Sequence, residues 1–192
     1  MTSRKKKIIR TVLAGPVLVL LLAGVYLGTL QLVGNFHEVV PGTLYRAAQI
    51  TPEHLSDYKK QYGIRTVINL RGANPGSDWY DAELKASDAL GISHLDFRMS
   101  ASRVLSQQRA EELIALMRSA PKPLLIHCQG GADRSGLASA LYLAAIAGAQ
   151  EEAAERQLSL LFGHIGIPYL SAAYPMDESW EDFEPWLGFA AN

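Results

Sequence analysis

Residues 123–136 read PLLIHCQGGADRSG and contain the chain's only cysteine. Leu124 to His127 is an apolar run that reads as a strand. Cys128 follows at its end, and Gln129, Gly130, Gly131, Ala132 and Asp133 separate it from Arg134. Ser135 to Ala147 is dense in alanine and leucine and reads as a buried helix. Strand, tight loop and helix in this order turn backbone N–H groups toward one point and set a helix N-terminus behind it. That is a site for an anion of phosphate type.

The pattern extends in both directions. Leu44 to Ala47 and the β-branched run Ile64 to Leu70 read as strands, as does Ile92 to Met99. Thr51 and Pro52 suit the cap and first position of a helix that ends at Gly63. Trp79 to Leu90, Ser106 to Ser119 and Gln150 to Phe162 read as further helices. The tail from Met176 to Leu187 interleaves acidic residues with Trp180, Phe183 and Trp186, and is expected to be a packed C-terminal helix. Strands alternating with helices predict an α/β fold with a mostly parallel central sheet covered on both faces. Ligands of such sheets bind at the carboxyl ends of strands, and Cys128 falls at one.

The loop's residue types specify chemistry. A helix N-terminus and a nearby cation lower a thiol's pKa, so a Cys128 thiolate is expected. Gly130 and Gly131 let the loop curl with its amides inward. These amides, from Gln129 to Arg134, are the expected phosphate-binding groups. Arg134 offers a planar fork for two phosphoryl oxygens, and Ser135 can donate to the sulfur. The arrangement predicts two-step phosphoryl transfer through a phosphocysteine, which water then hydrolyses. The first step needs an acid for the leaving oxygen and the second a base for the water. No metal or other cofactor is called for, because Arg134 and the amides carry the phosphoryl charge.

Arg4, Lys5, Lys6, Lys7 and Arg10 form a basic cluster, and residues 12–33 (VLAGPVLVLLLAGVYLGTLQLV) carry no charge. At about 1.5 Å per residue this run can cross a bilayer as a helix. The expected plan is a basic cytoplasmic flank at 1–11, a transmembrane signal anchor at 12–33, a polar linker at 34–42 and a catalytic domain at 43–192. The basic flank stays inside, so the domain is exported, to the periplasm if the source is bacterial. A cleavable signal peptide is the alternative. It predicts a shorter apolar core and a small-residue cleavage site, and it would give a secreted domain.

Of 192 residues, 48% are hydrophobic and 19% charged, which fits a globular domain with a substantial core. A net charge of −1 gives no global field for nucleic acid. One cysteine excludes an intramolecular disulfide and a cysteine-rich zinc site. Oligomeric state is not legible.

HCQGGADRSG resembles the H-C-x-x-G-x-x-R-S/T signature of the cysteine-dependent protein tyrosine and dual-specificity phosphatases. Weaker similarity runs from Leu44 to Ala147 through YRAAQ and TVINLRG. The chain is most similar to the compact atypical dual-specificity branch. The resemblance implies Cys128 as nucleophile, Arg134 as phosphate binder and Ser135 as thiolate partner. It also implies a general acid on a separate loop upstream. There the sequence offers Asp96, in HLDFRMSA. Asp133 is the second candidate, with bracing of the loop as its other role; Asp78 and Asp177 stand further off. Arg71 either enters the phosphate pocket or supports the loop. His127 is expected to orient the loop, and His164, in FGHIGIP, to be structural or to hydrogen-bond to the catalytic loop.

Three other readings compete. Cys128 could be a core cysteine, but its spacing from Arg134 and the Gly-rich loop argue against that. A rhodanese-like sulfurtransferase also cradles a cysteine after a strand, with a shorter loop and no Arg-Ser ending. A membrane-anchored phosphate-binding module without turnover keeps the geometry and loses the reaction. The expected partner is a phosphorylated substrate, a phosphoprotein or a small or lipid phosphomonoester. Within the loop Arg134 is the one cation, which counts against polyphosphoinositides. Phosphotyrosine-like monoesters are the expected class.

Overall fold

The computed structural model describes residues 3–189, with side chains from residue 15 onward. The side chains of the basic cluster lie outside this range. The chain divides into two compact units, one ending at Val33 and one beginning at Gly34.

The first unit is the helix α1, Ser3–Leu32. Its stretch Gly15–Leu32 is long and apolar enough either to cross a membrane or to act as a signal sequence. Val17 to Leu22 and Val25 are all exposed.

The second unit follows the alternation of the sequence. In order it contains β1 (His37–Val40), β2 (Leu44–Ala47), α2 (Pro52–Tyr62), β3 (Thr66–Asn69), α3 (Asp78–Ala89) and β4 (Ser93–Asp96). Then come α4 (Gln107–Ser119), β5 (Leu124–His127), α5 (Asp133–Ala145), α6 (Glu151–Glu155) and α7 (Pro175–Leu187). The sheet order is β1-β2-β5-β3-β4. The β2–β5, β5–β3 and β3–β4 pairs are parallel, and β1 joins the edge antiparallel to β2.

Local signals place several ends as expected. Thr51 accepts a hydrogen bond from the His54 N–H at 3.2 Å, and Gly63 closes α2 in the left-handed region at φ 68. Ser106 caps α4 by accepting from the Arg109 N–H. On β5 the side chains alternate: Leu124 and Ile126 pack with Leu113, Met117, Leu137 and Leu141, while Leu125 packs with Leu55, Ile64 and Val67. The central strand is therefore buried on both faces, as a parallel sheet requires. Trp180 and Phe183 of α7 join the first of these clusters, so the acidic tail is a packed helix.

Three segments differ from expectation. The stretch 34–42, read as a linker, carries β1, an edge strand whose register shifts between Glu38 and Val40 so that Val39 and Val40 both pack against the core. Regular pairing of β4 stops at Asp96, although the N–H groups of Phe97 and Met99 still donate to Asn69 and Leu70 carbonyls. The helix expected over 150–162 is only α6 plus a 3-10 turn at Leu160–Phe162. The chain leaves the helix at Gln157, whose backbone and side-chain oxygens both accept from Arg46.

Candidate active site

Parallel pairing aligns the strand ends. Ala47 and Asn69 both flank His127, and Asp96 flanks Asn69. The loop 128–134 springs from the middle of this row, and α5 begins at Asp133 directly behind it.

The loop is held by its carbonyls. Gln129 O accepts from the Gln49 N–H at 3.1 Å. Gly130 O accepts from Asn35 Nδ2 at 2.9 Å. Gly131 O and Ala132 O accept from one guanidinium nitrogen of Arg46, at 2.9 and 2.7 Å. In a planar trans peptide the carbonyl and the next N–H point opposite ways. Pulling four successive carbonyls outward therefore turns the N–H groups of Gly130, Gly131, Ala132 and Asp133 to the inner side of the loop. Gly131 sits at φ 68, and a Cβ there would lie 2.5 Å from Ala48 N and 2.7 Å from Ala47 C, so only glycine fits.

Arg46 is fully buried beneath the loop. Its other guanidinium nitrogen donates to Gln157, and its plane lies 4.4 Å from the Phe162 ring centroid. Burial lowers its pKa to about 10, against the opposing pull of Cys128 and Asp133, so it stays charged at neutral pH. In the sequence Arg46 stands out only as a member of YRAAQ. Its signal was a lone arginine inside an otherwise buried strand.

Glu83 is a second buried node. Its carboxylate accepts from His127 Nε2 at 2.8 Å, His94 Nε2 at 2.7 Å and Gln49 Nε2 at 2.6 Å. Burial alone would raise its pKa, but the two histidines bring it down to about 2. Through His127 and Gln49 it braces both ends of the loop's first peptides. Gln49 Oε1 in turn accepts from Arg71, whose guanidinium stacks on Trp79 at 3.5 Å. Arg71 thus serves as a support to this network, with its pKa lowered by burial and by Arg134.

Cys128 Sγ lies 3.5 Å from Ser135 Oγ, and both residues are buried. Arg134 Nε is buried and has no hydrogen-bond partner among the described residues. Asp133 and Arg134 line a cavity of about 650 Å³ whose far wall is the loop Arg98–Leu105, with Ala172 and Ala173 beside it.

The two acid candidates are placed differently. Asp96 lies outside this cavity lining, and both its oxygens are taken, by Asn69 Nδ2 at 2.8 Å and by the Tyr80 hydroxyl at 2.6 Å. Asp133 lines the cavity and is hydrogen-bonded at 2.8 Å to Nδ1 of His164. The other nitrogen of His164 meets Asp177 at 2.9 Å. Burial would lower the His164 pKa, but the two carboxylates raise it to about 9, so the imidazole is charged at neutral pH. Asp177, set aside in the sequence, is the outer member of this Asp–His–Asp chain. Gly166 makes room for it: a Cβ there would fall 2.2 Å from Asp177 Oδ2. Asp78 opens α3 as its first residue.

Residues 34–170 match the family model described as the Swiss Army Knife protein DSP-PTPase phosphatase domain. The chain belongs to this family.

A DSP-PTPase is a cysteine-dependent phosphatase, and this chain is one. Solved structures carry the same fold. TpbA of Pseudomonas aeruginosa superposes with a TM-score of 0.56 at 20% identity, over 78% of this chain and 85% of its own. The DUF442 protein of Shewanella putrefaciens gives 0.61 at 16%, over 81% and 94%. PTPMT1 gives 0.58 at 15%, over 80% and 96%. No curated protein sequence matches the chain.

Proposed function

We propose that this DSP-PTPase hydrolyses phosphomonoesters through a phosphocysteine on Cys128. The inward-turned amides and Arg134 bind the phosphoryl oxygens, and Ser135 donates to the sulfur as it leaves. The observation that carries this reading is the clamping of four successive loop carbonyls from outside, which preorganises the amides for charge that develops during transfer. Asp133 is the better acid–base candidate. It lines the cavity beside Arg134, whereas Asp96 already accepts from Asn69 and Tyr80. The proton on the charged His164 passes through Asp133 to the leaving oxygen, and Asp133 then takes a proton from the attacking water and returns it to the imidazole.

Phosphomonoesters are the proposed substrate class, phosphotyrosine-like esters among them, and TpbA has been solved in complex with pTyr. The helix α1, whose first turns carry the basic cluster, is proposed as a signal anchor that leaves the phosphatase domain outside the cytoplasm.

The test is hydrolysis of p-nitrophenyl phosphate by the full chain in neutral detergent with EDTA. Turnover by the wild type that disappears in Cys128→Ser and collapses in Arg134→Ala is the expected result. A reduced, folded wild type without turnover would leave the phosphate-binding module, and a thiosulfate assay would then test sulfur transfer. Protease accessibility of the domain in sealed spheroplasts tests the topology: protection of the domain would overturn export.

A further inference from the structure

The wall opposite the phosphate loop is basic. Residues 97–106 read FRMSASRVLS and contain no acid. Arg98 and Arg103 of this stretch line the same cavity as Arg134. Arg98 is turned by donating to the Ala73 carbonyl, which leaves its charge unneutralised. Arg103 is exposed and has no hydrogen-bond or carboxylate partner among the described residues. The one carboxylate on the cavity lining is Asp133, and it is already engaged by the charged His164. Elsewhere on this surface an arginine has found its acid, as Arg109 has with Glu112. Three guanidiniums around one cavity, without ion-pair partners, are an unsatisfied anion site.

Building on the phosphatase reading, a phosphoryl group in the loop occupies Arg134 and the amides. It does not use Arg98 or Arg103 on the facing wall. We infer that the cavity takes a phosphomonoester carrying a second phosphate-type anion, held by Arg98 and Arg103 while the first phosphate sits over Cys128. Guanidinium forks suit such an anion. The cavity of about 650 Å³ reaches the phosphate loop at Asp133 and Arg134 and has room for the second group and a short linker. The serines at 100 and 102 supply hydroxyls beside the arginines, and Met99 and Leu105 supply an apolar floor. Within the loop Arg134 is the single cation, but the folded cavity adds two more from a different segment. The sequence-level argument against multiply charged substrates is therefore reversed. The second anion can belong to a soluble bisphosphate or to a lipid head group with a phosphodiester.

The test uses full-length Cys128→Ser in neutral detergent, so that binding is read without turnover. Calorimetry compares propylphosphonate with propane-1,3-bisphosphonate. The bisphosphonate is expected to bind about tenfold tighter or more. In a background of Arg98→Gln with Arg103→Gln the ratio should fall to about two. Arg103→Gln alone should lose part of it, and Arg103→Lys should restore less than the native fork. The N-terminal basic cluster is the same in the parent and the Arg98/Arg103 variants, so the fall of the ratio between them reports the two arginines alone. Equal binding of the two ligands, or a ratio unchanged in the variants, overturns the subsite and leaves the phosphate loop standing. Binding of neither overturns both. Phosphate release by the wild type then separates the sources. One arm compares propane-1,3-diol bisphosphate with propyl phosphate in solution. The other compares phosphatidylinositol 4-phosphate with phosphatidic acid in phosphatidylcholine vesicles. A preference for the doubly anionic member in either arm supports the proposal and names its source; a preference in neither overturns it.

Discussion

The two walls of the cavity are built by opposite means. The phosphate loop is fixed from behind by a buried arginine, an asparagine and a glutamine–glutamate pair, all bonded to backbone or to each other. The facing loop 98–105 exposes Arg98, Ser102, Arg103 and Val104, and between its anchors at Met99 and Leu105 it is held by local contacts such as that of Ser100 with Ser102. The first wall is rigid at the level of the backbone, where the charge of a transferring phosphoryl group must be met in place. The second presents side chains on a loop, where composition can change without disturbing the fold. Mechanism is written into the first wall and substrate choice into the second.

The largest break in this contrast is expected at the nucleophile. Cys128→Ser should reduce turnover by about ten-thousandfold or more while the inorganic phosphate site survives. Retention of appreciable turnover would remove the phosphocysteine.

Gly131→Ala should come next. A side chain at φ 68 costs about 1–2 kcal/mol, and its Cβ collides with the backbone of β2 rather than with a movable side chain. A displacement of about 1 Å in the loop costs about a hundredfold in rate. Near-native kcat/KM would mean that the loop tolerates another path.

Arg46→Met should act mainly on stability. It strands the carbonyls of Gly131 and Ala132 and should cost about 3 kcal/mol, read by denaturant midpoint, together with weaker phosphate binding. A loss of stability without any change in phosphate affinity would separate the clamp from the site.

The acid–base assignment is sharpened by comparing Asp133→Asn with Asp96→Asn on alkyl and aryl phosphates. Asp133→Asn should slow alkyl phosphates more than p-nitrophenyl phosphate, by about a hundredfold against about tenfold. Asp96→Asn should slow both alike, through the Asn69–Tyr80 network. The reverse pattern would return the acid role to Asp96.

The smallest effects are in pH. The raised pKa of His164 makes its ion pairs fully stabilising below its ordinary value of 6.5, and that contribution is lost as pH rises through about 9. The depressed pKa of Glu83 acts at the other end. Its contribution is present above the ordinary 4.5 and is lost as pH falls through about 2. Thermal melts of wild type and His164→Gln should therefore converge above pH 9. Parallel curves across that range would show that His164 does not carry charge.

Much of this was legible wherever cause and effect are close in sequence. Thr51 capping α2, Gly63 ending it, Ser106 opening α4 and the strand–loop–helix around Cys128 are local events, decided by residues a few positions apart. The clamps were not legible, because Arg46 reaches Gln157 and Asn35 reaches Phe162 across most of the domain. Those contacts exist only after the sheet aligns its strand ends. For Asp133 and His164 the sequence offers a role at the catalytic loop, but the chain that joins both to Asp177 exists only once a turn brings the three into line. Chain order also hid the basic wall, since Arg98 and Arg103 lie far from Arg134 in sequence.

Asn35 has a consequence for how this protein can be cut. Its side chain donates to Gly130 O and Phe162 O and accepts from His37, and Gly34 O accepts from the Ala48 N–H. The first residues after the apolar helix are thus parts of the phosphate site's scaffold. A proteolytic release of the domain that keeps Gly34 would retain every one of these contacts. One that starts at Thr43, at the boundary that composition alone suggests, removes a strand and a loop clamp together. Processing a few residues too late would act as an off-switch.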